Sequence, residues 1–130
     1  MDPGRKLRFL QLPEMFAICR LPAEDGIPTW AASGILFSVT RTPNELSIVC
    51  PQANLPDRAP ADRDWRCLML EGPFELSEVG VMAAITRPLA AAGVSIFAIS
   101  TYSTDYLLIK EEQLSQALTA LAASGCEVSV

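Results

Sequence analysis

The 130-residue chain has no histidine, and its four cysteines, Cys19, Cys50, Cys67 and Cys126, contain no CxxC pair. A structural zinc site draws on closely spaced Cys pairs, usually joined by His, so this set argues against a metal centre. Without His, a thiol nucleophile also lacks its commonest general base, and few routes to catalysis remain. No metal and no cofactor are expected. Each cysteine sits among apolar neighbours ("FAICRL", "SIVCPQ", "WRCLML", "GCEVSV"), as small buried side chains of a reducing compartment do.

Long apolar runs are missing too. Nothing approaches the ~20 residues of a membrane span, and "MDPGRKLRFLQLPEM" lacks the roughly 7 to 15 apolar residues of a secretory signal. A cytoplasmic protein is therefore expected. Basic residues are few and scattered: 10 Lys and Arg stand against 15 Asp and Glu, for a net charge of -5. Nucleic-acid binding draws on clustered positive charge, so that class is disfavoured. Residues 1 to 62 carry 6 basic and 7 acidic side chains, whereas 63 to 130 carry 4 and 8, a net of -4. A cation is the easier guest for the second half.

What is present is a globular composition, 50% hydrophobic and 19% charged, long enough for one ordinary domain or two small ones. In the first half, "LRFLQL" (7 to 12), "MFAICRL" (15 to 21), "GILFSVT" (34 to 40) and "LSIVC" (46 to 50) read as strands between turn-forming segments. A short helix around "TWAAS" is the one helical element expected there. "PQANLPDRAPADRD", residues 51 to 64, reads as a linker, with Pro51, Pro56 and Pro60 among polar residues. The expected division is 1-62, a smaller, degenerate half made mostly of strands, and 63-130, a complete unit.

In that unit "WRCLML" (65 to 70) is a strand, and Gly72 and Pro73 make the loop after it. Ser77 is placed to cap a helix beginning at Glu78, with Met82, Ile85, Leu89 and Ala92 on its buried face. Pro88 should kink or shorten that helix, and Gly93 ends it. "VSIFAIST" (94 to 101) and "YLLIK" (106 to 110) are strands joined through "YSTD". A second helix opens at Glu111 and Glu112, stripes Leu114, Ala117, Leu118 and Leu121, stops at Gly125, and leads into "CEVSV". The order strand, helix, strand, strand, helix, strand predicts an α+β, ferredoxin-like βαββαβ sandwich.

"STYSTDY", residues 100 to 106, sets Asp105 among six hydroxyls. From the residues alone, Asp105 either organises a turn between two strands or receives a cationic ligand. Gly80 either lets helix pack on sheet or lets a ligand carboxylate reach backbone N–H groups at the positive helix end. Ser95 interrupts the apolar face of Phe97 and Ile99, where a buried hydroxyl needs a partner. Glu71, Glu75 and Glu78 form an acidic rim, and Trp30 and Trp65 are core or interface anchors.

The segments "VGVMAAITRPLA", "GVSIFAISTYSTDY" and "LLIKEEQL" resemble the ACT-domain proteins related to the CASTOR cytosolic arginine sensors. More loosely, "FSVTRTPNELSIVCP" (37 to 51) is similar to a segment that precedes such a domain. The resemblance implies the ACT fold, the same βαββαβ sandwich, and a non-catalytic regulatory module that binds an amino acid where two ACT units meet. It implies a pocket at Gly80 and Val81, Ser95 and Ile96, Thr101 and Tyr102, and Asp105. In the arginine sensors those positions are split between two units of one long chain, so this shorter chain needs its own first half or a second subunit. The expected partners are an amino acid, cationic such as arginine, and a second copy in a homodimer, with a protein partner downstream. A ligand-free dimerisation or protein-interaction module, built on open sheet edges, is the alternative.

Overall fold

The computed structural model describes residues 6 to 130, and among them the chain forms eight strands and two α-helices. In chain order these are β1 (Arg8–Gln11), β2 (Phe16–Leu21), β3 (Ser38–Arg41), β4 (Leu46–Pro51), β5 (Ala61–Leu70), α1 (Val81–Ala91), β6 (Ile96–Ser100), β7 (Asp105–Lys110), α2 (Leu114–Ala123) and β8 (Glu127–Ser129). The chain divides into two compact units: residues 14 to 65 form one, and the described residues before and after that segment form the other.

The larger unit has the strand order β8-β1-β5-β7-β6. Antiparallel pairing sets Phe9 opposite Leu70 in β1 and β5, and Ile96 opposite Ile109 in β6 and β7. Strand side chains alternate between faces, and Phe9, Leu68, Leu70, Leu107 and Ile109 all fall on one of them. Both helices pack there, α1 through Val81, Ile85 and Leu89 and α2 through Ala117 and Leu121, which gives two layers around one core. Residues 7 to 12, expected in the first half, join this unit instead. The strand β1 lies between β5 and β8, its backbone takes up Leu12 N–H to Cys67 O and Glu71 N–H to Arg8 O, and Lys6 and Arg8 both pair with Glu127 on β8.

The smaller unit is an antiparallel ladder, β3-β4-β2 and then the first half of β5, around Ala17, Cys19, Ala31, Leu46, Ile48, Cys50 and Leu55. Trp30 packs against this core, and the indole N–H of buried Trp65 donates to Asp62 Oδ1. The long β2–β3 connection is tied down by Arg41, which donates to the carbonyls of Ala23 and Asp25. Asn54 ties it again at the carbonyls of Trp30 and Ser33.

Several boundaries differ from the sequence reading; β3, expected from Gly34, begins at Ser38, and α2, expected from Glu111, begins at Leu114 after a 3-10 turn. The stretch read as a linker ends early, because β5 begins at Ala61 and pairs Cys19 with Ala61 and Phe16 with Trp65. A register irregularity between those rungs leaves Asp64 at φ 68, and Gln52 accommodates it by accepting from Asp64 N–H at 2.7 Å and donating to Asp64 Oδ1 at 3.1 Å. The helix expected from Glu78 begins at Val81, behind Gly80 at φ 86. The strand expected over 94 to 101 is shorter, so Ser95 lies outside it and is exposed. Pro88 stands inside α1, which still runs to Ala91 and closes with Val94 N–H on Leu89 O across Gly93, whose φ of 75 suits the missing Cβ.

Candidate functional site

The β6–β7 hairpin supplies the first wall. Its last rung pairs Ser100 with Asp105, and the four residues between them close on themselves. Thr101 N–H donates to Thr104 O at 2.8 Å, Thr101 Oγ1 donates to the same carbonyl at 3.0 Å, and Thr104 N–H donates back to Thr101 Oγ1 at 3.3 Å. The turn is thus built by two threonines. Asp105 takes no part in it; its Oδ1 accepts from Ser100 Oγ at 2.5 Å.

The second wall is the loop from β5 to α1, and the turn holds it in place. Thr104 Oγ1 donates to Leu70 O at 2.6 Å, and Phe74 N–H donates to Ser103 O at 2.8 Å. Gly72 approaches so closely that an added Cβ would stand 3.0 Å from Ser103 O, so a larger residue there would push the two walls apart.

The third wall is the start of α1. The Gly80 conformation turns the chain into the helix, and no side chain caps it. The first N–H groups of a helix have no partner within it, so Val81, Met82 and Ala83 present uncommitted donors at the positive end of the dipole.

These walls enclose a cleft of about 370 Å³, lined by Gly80, Val81, Met82, Ala83, Ser100 to Asp105, and the loop residues Phe74, Glu75, Leu76 and Glu78. Among the described residues, three carboxylates and no basic side chain line it. Backbone donors at the helix start and the Asp105 carboxylate on the hairpin match a molecule that carries an anionic and a cationic group together. Leu76 and Tyr102 at its rim are 69% and 81% exposed, so apolar surface is left uncovered.

Five of the seven residues expected at a site therefore meet: Gly80, Val81, Thr101, Tyr102 and Asp105 all line the cleft. Ser95 and Ile96 do not. They lie at the opposite end of β6, where Ser95 N–H donates to Gln113 Oε1 and Ile96 packs on the core. Ser95 is five residue steps from Ser100 and Ile96 four, roughly 16 and 13 Å at about 3.3 Å per residue. The buried hydroxyl expected at Ser95 is exposed instead. Sequence reasoning missed Ser100, Thr104 and Phe74. The first was legible in principle: once Thr101 and Thr104 close a turn, Ser100 must stand opposite Asp105.

The larger unit is thus a two-layer α+β sandwich with an open cleft between a helix start and a hairpin turn. The family model for the ACT domain matches residues 61–123, and a second model, described as an N-terminal domain, matches residues 14–58. An Agobacterium tumefaciens protein of known crystal structure superposes with a TM-score of 0.90 at 34% identity, covering 97% of this chain and 94% of its own. The regulatory subunit of aspartate kinase from Thermus thermophilus superposes at 0.59 with 15% identity, covering 85% and 91%, a likeness of fold. The cytosolic arginine sensor for mTORC1 subunit 1 of Bos taurus is 30% identical over 100 residues, 66% of this chain. The chain spans only 30% of that relative's length. Residues 61–123 of this chain form an ACT domain. No helix among the described residues is long and apolar enough to cross a membrane.

Proposed function

We propose that this protein is a non-catalytic regulatory sensor that binds an amino acid in the cleft between α1 and the β6–β7 turn, at an interface between two ACT units. The observation that carries the reading is the pairing of opposite recognisers in one cleft, uncommitted N–H groups of Val81 to Ala83 for a carboxylate and Asp105 for a cation. Glu75 and Glu78 add negative charge, so a cationic amino acid such as arginine is the first ligand to test. The arginine sensor among the relatives supports the same choice.

The separation of Ser95 and Ile96 from the cleft supports a second subunit. Among the described residues of the larger unit β6 pairs on one side only, with β7. Its sequence, IFAIS, has no charge, no proline and no bulge, so it lacks the devices that keep an edge strand from pairing. Antiparallel pairing of two copies about Ala98 sets Phe97 opposite Ile99 and Ile96 opposite Ser100. Ser95 and Ile96 of the second copy then arrive opposite Thr101 and Ser100 of the first, with Asp105 on the next strand, so the seven residues gather at one end of the joined edge. The uncovered rim at Leu76 and Tyr102 fits a site completed in this way. A protein partner that reads out the bound state would complete the regulation.

Isothermal titration of the chain against the twenty amino acids tests this reading. Binding of at least one of them, abolished by Asp105→Ala with the fold intact, is the expected result. Absence of heat and of thermal shift with all twenty would leave the alternative, an interaction module that uses the β6 edge without a ligand.

A further inference from the structure

Asp105 is a carboxylate on a hairpin end, half-buried, and its torsions are not fixed by core packing. One contact fixes them: Ser100 Oγ donates to Oδ1 at 2.5 Å from the directly opposed strand position. That contact is superfluous for closing the turn, because Thr101 and Thr104 already do so with three hydrogen bonds of their own. Ser100 is exposed at the end of an edge strand, and its side chain adds nothing to either hydrophobic core. Among the described residues no donor reaches the second oxygen, Oδ2.

From this we infer that Ser100 is a positioning residue of the cleft: its hydroxyl anchors Asp105 through Oδ1 and holds Oδ2 as the oxygen that meets the cationic group of the ligand. The inference rests on the reading of the cleft as an amino-acid site. A charged hydrogen bond depends steeply on alignment, so a carboxylate held in one orientation discriminates a cation from its neutral isostere better than a freely turning one. Pre-organisation of this kind also removes the cost of ordering the side chain when ligand arrives.

The test compares arginine with citrulline, which has nearly the same shape and no side-chain charge, by calorimetric titration of the wild type, Ser100→Ala and Ser100→Thr. The wild type is expected to prefer arginine. In Ser100→Ala the arginine-to-citrulline ratio should fall by about tenfold, the order of one charge-assisted hydrogen bond, with citrulline affinity unchanged. Ser100→Thr keeps the hydroxyl on a residue well suited to a strand and should restore the ratio. Equal loss of both ligands in Ser100→Ala, or no loss of either, would overturn the positioning role while leaving the site in place. Failure of the wild type to prefer arginine defeats the cationic-ligand reading itself, and the role of Ser100 with it.

Discussion

Ser100 and Asp105 occupy the last rung of the β6–β7 hairpin, and the hydroxyl of one is hydrogen-bonded to the carboxylate of the other at 2.5 Å. The turn beyond them needs neither side chain, so the pair is available for recognition. Asp105→Asn is accordingly expected to leave the thermal midpoint close to that of the wild type while reducing arginine affinity by roughly tenfold or more, the loss of one charge-assisted contact. Differential scanning fluorimetry and calorimetry on the same sample separate the two effects. A large drop in midpoint would return Asp105 to a structural role.

Gly80 makes a different prediction. At φ 86 it occupies a conformation that side chains disfavour, and it does so at the point where the cleft meets the first N–H groups of α1. Gly80→Ala should therefore destabilise the chain by about 1 to 2 kcal/mol, the cost of a left-handed non-glycine residue. The urea midpoint reports it. Unchanged stability would mean that the helix start moves freely, and with it the donors assigned to the ligand.

How far the sequence discloses this architecture depends on where the determining partner lies. Phe9, Leu68, Leu70, Leu107 and Ile109 alternate along their own strands, so the sandwich and its helix-bearing face follow from local pattern. The start of α1 was set three residues early because Ser77 and Glu78 have the chemistry of a cap; the chain instead turns in at Gly80. The first half of β5 was hidden behind Asp62 and Asp64, residues that favour turns. They are tolerated in a strand because Trp65 and Gln52 supply hydrogen bonds, and Gln52 is twelve positions away. Five of the expected site residues converge because the β6–β7 turn and the start of α1 close on one cleft. Ser95 and Ile96 lie at the wrong end of a strand for one chain to bring them there.

The Gln52 and Asp64 contact can be tested alone. Asp64 at φ 68 is held by two hydrogen bonds to one amide side chain. Gln52→Ala removes both, and a loss of roughly 1 to 3 kcal/mol is expected, with faster amide exchange concentrated in residues 61 to 65. Protection there equal to the wild type would show that the ladder with β2 holds the irregularity unaided.

The cysteines of the smaller unit give a prediction in pH. Cys19 and Cys50 are buried in its core; burial raises the Cys50 thiol from 9.0 to about 11, and Cys19 beside it adds to the effect. A group whose value is raised on folding contributes stability that is complete below the unfolded value and is lost as pH climbs through the folded one. Stability should thus decline between about 9 and about 11, and Cys50→Ala, whatever its cost at neutral pH, should flatten that decline. Urea midpoints across the range measure it. At pH 8, a thiol reagent should label half-buried Cys126 before Cys19, Cys50 or Cys67.

The β6 edge decides whether the cleft is completed by a second copy. A lysine at its centre opposes its own image across the two-fold axis, and such charges are what keep natural edges apart. Ala98 is exposed at the middle of β6, so Ala98→Lys should fold normally as one chain. Sedimentation velocity is expected to show a dimer for the wild type and a monomer for the variant. Because Ser95 and Ile96 of one copy would serve the cleft of the other, the variant should also lose ligand affinity although residue 98 does not line the site. Wild-type affinity should in turn rise with protein concentration across the dimerisation range, since only the dimer holds complete sites. A monomeric Ala98→Lys that binds as tightly as the wild type would separate ligand recognition from association and confine the site to a single chain.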